Sequence, residues 1–360
     1  MPRELTPLFA ELSSFEHLLH AYYQAARGKR TREDVATFDY HLEGWLLRLR
    51  DQLRAGTYRL GSFRSFTIAD PKPRRISAAP FADRVVHHAV VNVIEPLFER
   101  RFINDSYANR VTRGIHAALD RCTFFARRYR YALRCDIVQF FPSVDHLVLK
   151  RLLWPVVRDA QVMALCEQII DGGAHELTDQ YTLVTFPHDR YGAEAYRARG
   201  LPIGNQTSQF WANCYLNPLD HLVRDQLACP AYLRYVDDFL LFSDDKDQLH
   251  AWKKAIIAFL AAKLRLILHE LEAAVIPCAT GIPFLGFRVY PDHRRLRRRN
   301  GVAFARRLSL MRADYDRGAL SGAELTARIR GWVAHVSHGD TWGLRRVLLS
   351  GKRDALEAAP

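Results

Sequence analysis

The chain has 360 residues, a length that allows two or three domains or one large multi-lobed enzyme. With 49% hydrophobic and 11% aromatic residues it can build a substantial core, which excludes a disordered tail. Lysine and arginine number 52 against 39 acidic residues, a formal charge of +13, an excess that suits a polyanion such as nucleic acid or an anionic membrane surface.

The cysteines, at 122, 135, 166, 214, 229 and 278, form no C-x-x-C pair, which argues against a zinc framework or a disulfide lattice. No segment reaches the roughly 18–20 apolar residues needed to span a bilayer. The start carries Glu4, Glu11 and Glu16 and lacks an uninterrupted signal-type apolar core. The expectation is a soluble, cytoplasmic protein without a membrane partner.

Along the chain, residues 1–56 read as helical. Phe38, Leu42, Trp45, Leu46 and Leu49 fall at helical spacing, and Gly56 supplies a stop. Residues 57–80 read as a strand and then a proline-punctuated basic loop holding Arg74 and Arg75. "FADRVVHHAVVNVIEPLFERRF" returns to helix and is expected to end around Pro96. Residues 131–141, "YALRCDIVQFF", predict a strand with a turn at Pro142, followed by a helix over 145–170 and an irregular hairpin over 171–200. "GNQTSQFWANCYLNPLDHLV" is a glycine-initiated loop running into a helix. An apolar strand at 232–242 precedes a helix over 247–263 and a strand pair around "RLILHELEAAVIP" and "GIPFLGFRVYP". From Asp292 to Arg312 there are eight arginines and one acid, and helices are predicted at 303–317, 322–336 and 341–348.

The chemistry concentrates in "YLRYVDDFLLF", where Asp237 and Asp238 interrupt an apolar run. Two like charges there are expensive to bury unless a cation meets them. A tight hairpin apex at "YVDDF" puts both carboxylates near one pole of a sheet, where carboxylate oxygens suit Mg²⁺. Asp136, in "ALRCDIVQFFPSVD", also follows an apolar strand and precedes an aromatic turn. Strand-end carboxylates converging on a metal pair are what phosphoryl-transfer enzymes use.

"YVDD" and five blocks in series around it resemble the reverse transcriptases. "RRISAAPFADRVVHHAVVNVIEPLFE" looks like the fingers block, and "SYANRVTRGIHAAL" like the one after it. "LRCDIVQFFPSVDH" resembles the first catalytic block, "GLPIGNQTSQFWANCYLNPLDHLV" the glycine-loop block, "YVDD" the family signature and "FLGFRV" the primer-grip block. The resemblance covers roughly residues 70–290 and implies an α+β, right-hand polymerase fold. Its expected parts are an N-terminal helical extension at 1–56, fingers at 57–130, a palm with an antiparallel sheet at 131–290 with a hairpin insertion near 171–200, and a basic helical thumb at 291–360.

The resemblance also implies an RNA-directed DNA polymerase that uses deoxynucleoside triphosphates, template RNA, a cDNA or primer strand and two Mg²⁺ ions, with Mn²⁺ as a substitute. Asp136 and Asp237 would ligate the metal with the Ile137 carbonyl, and Asp238 would complete the acidic site. Phe141, five residues after Asp136, would exclude a 2′-hydroxyl. Arg74 or Arg75 would clamp the triphosphate through bidentate contacts. Gly204 would let backbone approach the nascent pair, with Asn205, Thr207, Ser208 and Gln209 touching template or nucleotide. Arg294, Arg295, Arg297, Arg298 and Arg299 would grip the template–primer backbone without sequence specificity. Trp332 and Trp342, interleaved with basic residues, suit RNA contact as well as core packing.

Ile203 before the glycine and Ser208-Gln209 at the end of the block resemble the reverse transcriptases of diversity-generating retroelements. These copy a template-repeat RNA with errors at adenines and work with a small basic accessory protein. In one departure, Glu272 and Ala273 stand where the family carries a lysine; His269 is an alternative proton donor. Two rival readings are a stand-alone bacterial reverse transcriptase, in phage defence or of group II intron origin, and an RNA-binding maturase or scaffold with a vestigial polymerase site.

Overall fold

The computed structural model describes residues 6–68, 74–187, 189–190 and 192–350. The chain begins with α1 (Pro7–Leu12), α2 (Phe15–Ala26), α3 (Glu33–Tyr40) and α4 (Leu42–Ala55), then strands β1 (Arg64–Ile68) and β2 (Arg74–Ala78). Next come α5 (Phe81–Glu99), α6 (Ile115–Ala126), β3 (Tyr131–Cys135), the one-turn α7 (Phe140–Ser143), α8 (His146–Val157) and α9 (Ala160–Gly172). The short α10 (Ala193–Tyr196) and the longer α11 (Gln206–His221) precede β4 (Tyr232–Tyr235), β5 (Asp238–Ser243) and α12 (Lys246–Phe259). Strands β6 (Ala274–Pro277), β7 (Ile282–Phe284), β8 (Phe287–Val289) and β9 (Arg294–Leu296) lead to α13 (Arg298–Asp316), α14 (Gly322–Val336) and α15 (Trp342–Leu349). The fold is α+β with every described strand pair antiparallel, as expected.

Two units share the chain. The first holds the residues up to Asn109, Asp136–Ala228 and Lys254–His269; the second holds Arg110–Cys135, Cys229–Lys253 and the residues from Glu270 onward.

The first unit is built around α5, whose Val85, Val86, Ala89, Val90 and Ile94 are fully buried beneath α2 and α11. The helix continues through Pro96 to Glu99, three residues past its expected end. An internal proline costs about 3 kcal/mol. Burial of Phe98, whose ring lies 5.6 Å from Phe210, offsets a cost of that order. The helix expected over 145–170 is two helices. Arg158 turns left-handed at φ 52°, and the Asp159 carboxylate caps α9 by accepting from the Gln161 and Val162 N–H groups.

Residues 171–200 were expected to form an irregular hairpin, yet α9 runs on to Gly172 and the described remainder contains only single-turn helices and an isolated bridge between Asp145 and Arg199. Charge rather than strand pairing holds the segment. Asp145 and Asp189 have almost fully buried carboxylates, and both pair with Arg197 and with Arg265.

In the second unit the strand order is β4-β5-β3-β6. Phe239 to Phe242 are all fully buried, and Phe125 of α6 packs 5.3 Å from the Phe242 ring. A second sheet, β7-β8-β9, turns between its first strands at Leu285 and Gly286, both with positive φ, which is the type I′ pattern. The last helices bury Phe304, Leu308, Met311, Leu320 and Leu348, and Trp332 stacks on Phe304 at 3.7 Å. Trp332 is therefore a packing residue, whereas Trp342 is 68% exposed. All six cysteines are buried and unbridged. Among the described residues no helix is long and apolar enough to cross a membrane.

Candidate active site

The apolar stretch around the paired aspartates is two strands, not one. Tyr235 pairs with Asp238, leaving Val236 and Asp237 as a two-residue hairpin loop. Asp237 therefore sits at the apex and Asp238 opens β5, both half-buried. Val236 holds φ at +55°, which a β-branched residue adopts at a cost of about 1–3 kcal/mol. Arg234, itself fully buried on β4, donates from Nη1 to the Val236 carbonyl at 3.0 Å and braces the strained turn.

The cation that meets the pair comes in part from the neighbouring strand. Arg134 Nε of β3 lies 3.5 Å from Asp238 Oδ1. Burial, followed by repulsion from Arg299, Arg134 and Arg288, holds the Arg297 guanidinium below the ordinary arginine range, and attraction to Asp238 opposes that shift. Arg134 and Arg297 thus both act on Asp238 within the second unit. Neither Arg134 nor Arg234 was singled out from the sequence, although an arginine inside an apolar strand is as much a signal as an aspartate there.

In the first unit, Asp136 follows β3 directly and is half-buried. Its carbonyl accepts from His269 N–H at 2.8 Å, while Ile137 is bridged to Leu268 and Val138 N–H donates to Ile267 O. Gln139, left-handed at φ 45°, redirects the chain into α7. There Phe140 enters the core, whereas Phe141 stays half-buried with its carbonyl accepting from Leu201 N–H.

The glycine loop is fastened to β2. Ile203 O accepts from Ser77 N–H, and the Asn205 amide bonds Ala79 N–H, Ser77 O and Pro202 O. Gly204 has φ +116°, and a Cβ there would meet Ile76 Cγ2 at 2.7 Å. Asn205, Thr207 and Ser208 are buried, so they are structural rather than open to template; Gln209 and Gly204 are exposed. Arg74 and Arg75 are not loop residues: they open β2, paired with Ile68 and Thr67. Arg75 already donates from Nη1 to both carboxylate oxygens of Asp179, at 3.1 Å to each. The prolines expected to flank that loop lie at 69–73, outside the described residues.

The arginine run divides. Arg294 donates to Asp120 and to Thr123 Oγ1, both at 2.7 Å, which anchors β9 to α6 and takes it out of a free phosphate-gripping set. Arg295, Arg298 and Arg299 are exposed and Arg297 is half-buried. At the turn lacking the expected lysine near Glu272 and Ala273, Lys253 reaches in from α12 and donates to the Glu270 and Ala273 carbonyls.

Among the described residues no group of three or more His, Cys, Asp or Glu forms a ready-made metal cage. The donors available are carboxylates at strand termini, the hard-oxygen type that Mg²⁺ uses in ones and twos with substrate phosphates completing its shell. That donor chemistry fits a divalent cation.

A profile of the reverse transcriptase (RNA-dependent DNA polymerase) family matches residues 69–289. Protein YkfC of Escherichia coli (strain K12) is 24% identical over 328 residues, 80% of each chain. Group II intron-encoded protein LtrA of Lactococcus lactis subsp. cremoris is 27% identical over 190 residues, 52% of this chain and 29% of that protein. Among solved structures, apo telomerase from Candida tropicalis is similar at a TM-score of 0.47 and 12% identity, over 65% of this chain and 48% of that one. The chain thus spans under a third of LtrA and about half of the telomerase chain. With the family profile matched through more than half its length, the chain belongs to the reverse transcriptase family, the RNA-directed DNA polymerases.

Proposed function

We propose that the chain copies RNA into cDNA by two-metal nucleotidyl transfer from deoxynucleoside triphosphates, with Mg²⁺ as the resident ion and Mn²⁺ as a substitute. The observation that carries this reading is the strained Val236–Asp237 loop, which lifts one carboxylate to a hairpin apex beside a second that Arg134 meets. Asp136 and Asp237 would hold the metal with the Ile137 carbonyl, and Asp238 would complete the acidic set. Bound in pairs, such ions activate the attacking oxygen and stabilise the leaving one. Arg134 orients Asp238, and Phe141 screens the sugar. Exposed Gln209 and the Gly204 backbone meet the nucleotide, with Ile203 setting the height of the loop. Arg74, at the strand start, is better placed than the Asp179-bound Arg75 to meet the triphosphate. Residues 57–130 serve as fingers, 131–290 as palm and 291–360 as thumb, after an N-terminal extension at 1–56, and the enzyme works in a bacterial cytoplasm.

For the lineage, two readings have support. Ile203, Ser208 and Gln209 favour an error-prone retroelement enzyme with a small basic accessory protein. The likeness to a group II intron-encoded protein favours an intron-derived enzyme. Sequencing the cDNA made on a mixed-composition RNA, beside an Asp237→Ala control, tests both levels. Loss of product in the control supports the polymerase reading, and errors concentrated opposite adenine support the retroelement. Evenly spread errors favour the intron-derived reading. Undiminished product from Asp237→Ala overturns the assignment of the site.

A further inference from the structure

The turn after α2, one face of α5 and the start of α11 enclose a cavity of about 240 Å³ in the first unit. Its walls carry Lys29, Arg84 and His88 on one side and Gly204, Gln206 and Gln209 on the other. Nothing in the proposed chemistry uses the cationic wall. We propose that this cavity is a phosphate-binding site, taking a phosphate group of the RNA strand or of the nucleotide; the role rests on the polymerase reading above.

The first argument is electrostatic. Arg84 pairs with Asp34 at the rim, yet its Nε is buried without a hydrogen-bond partner, and its guanidinium is held over the Phe81 ring at 5.0 Å. Burial, followed by repulsion from Arg84 and Arg32, lowers the Lys29 ammonium, and Asp34 only partly opposes this. His88 is pushed down to about 4 by burial and then by Lys29 and Arg84, so at neutral pH it is an uncharged hydrogen-bonding group. Like charges gathered in a concave site repel, and an anion between them relieves that repulsion.

The second argument concerns the opposite wall. The Asn205 side chain is committed to β2 and does not cap α11, so the first-turn N–H groups of that helix keep no side-chain acceptor from their cap residue. Gly204 leaves the backbone bare beside them. At about 30 Å³ per water, a 240 Å³ cavity has room for a phosphate group together with several waters.

The test uses the full chain, a short labelled single-stranded RNA and anisotropy measured across a salt series. Lys29→Gln is expected to weaken RNA binding about tenfold and to reduce the salt-dependence slope by about 0.7. Asp34→Asn, which removes only the rim counter-charge, is expected to strengthen it. Unchanged RNA affinity in both variants with a shifted KM for the nucleotide assigns the phosphate to the nucleotide instead. If neither affinity nor KM moves in either variant while both melt like wild type, the proposal is overturned. Because binding is read without turnover, a wild-type chain that binds in this Lys29-dependent way but incorporates nothing defeats the polymerase reading and leaves the site standing.

Discussion

Replacing Gly204 by alanine tests whether the glycine loop is held against β2 by backbone geometry or only by contact. Two separate penalties arise. A non-glycine residue at φ +116° is strained by about 1–3 kcal/mol. The new Cβ also falls 2.7 Å from Ile76 Cγ2, a methyl on a β-branched side chain within a strand, and overpacking of this kind costs about 1–3 kcal/mol. A combined loss of at least ~2–3 kcal/mol converts to roughly 30- to 140-fold. The unit is one of two in the chain, so a global melt would blur the effect. Hydrogen exchange at the Ser77 amide, which donates to Ile203 O, reads it locally. Its protection is expected to fall by that factor in Gly204→Ala. Adding Ile76→Ala removes the clash but not the φ strain, so it restores only part of the protection relative to Ile76→Ala alone. Full restoration would refute the strain term, and wild-type protection in Gly204→Ala itself would refute the account of the loop.

Val236→Gly relieves the positive φ at the hairpin and is expected to raise protection of the β4–β5 amides by up to about 1–2 kcal/mol, while incorporation falls as Asp237 gains freedom; unchanged protection would mean the turn stores no strain. Phe141→Val is expected to reduce preference for deoxynucleotides over ribonucleotides by about tenfold or more, measured as a ratio of kcat/KM, and an unchanged ratio removes Phe141 from sugar selection. Asp189 links acid stability to the charged cluster. Its burial alone would raise the carboxyl, but the Phe186 N–H together with Arg197 and Arg265 outweighs burial and holds it below the usual aspartate range. A depressed carboxyl contributes stability that is complete above its unfolded pKa and lost as pH falls through the folded value. Asp189→Asn is therefore expected to flatten the acid limb of the Tm-against-pH curve, and an unaltered limb would show that the network does not titrate on unfolding.

Much of the candidate site was legible before any coordinates. The hairpin apex at "YVDD", the aromatic turn after Asp136 and the glycine at 204 depend on residue types that few others can replace, so they stand out in one dimension. The antiparallel sheets and most helices were likewise visible, because a period of two or of 3.6 is local information. The local reading failed where distant residues compete for a segment. Arg74 and Arg75 look like a basic loop until β1 pairs with them. Residues 171–200 carry hairpin-like sequence, but Asp145 and Arg265, far away in the chain, claim their arginine and aspartate instead.

Sequence by itself determined the family and singled out Asp136, Asp237 and Asp238 as candidates, since an aspartate beside an apolar strand stands out wherever the chain runs. Only the tertiary structure decided how the remaining charges are used. Arg294 is tied to Asp120, 174 positions away, Arg134 meets Asp238 across a strand pair, and Lys29, Arg84 and His88 share one wall. A guanidinium has the same sequence signature whether it anchors a strand, balances a carboxylate or awaits a phosphate, and the choice is made by what folding brings within a few ångströms of it.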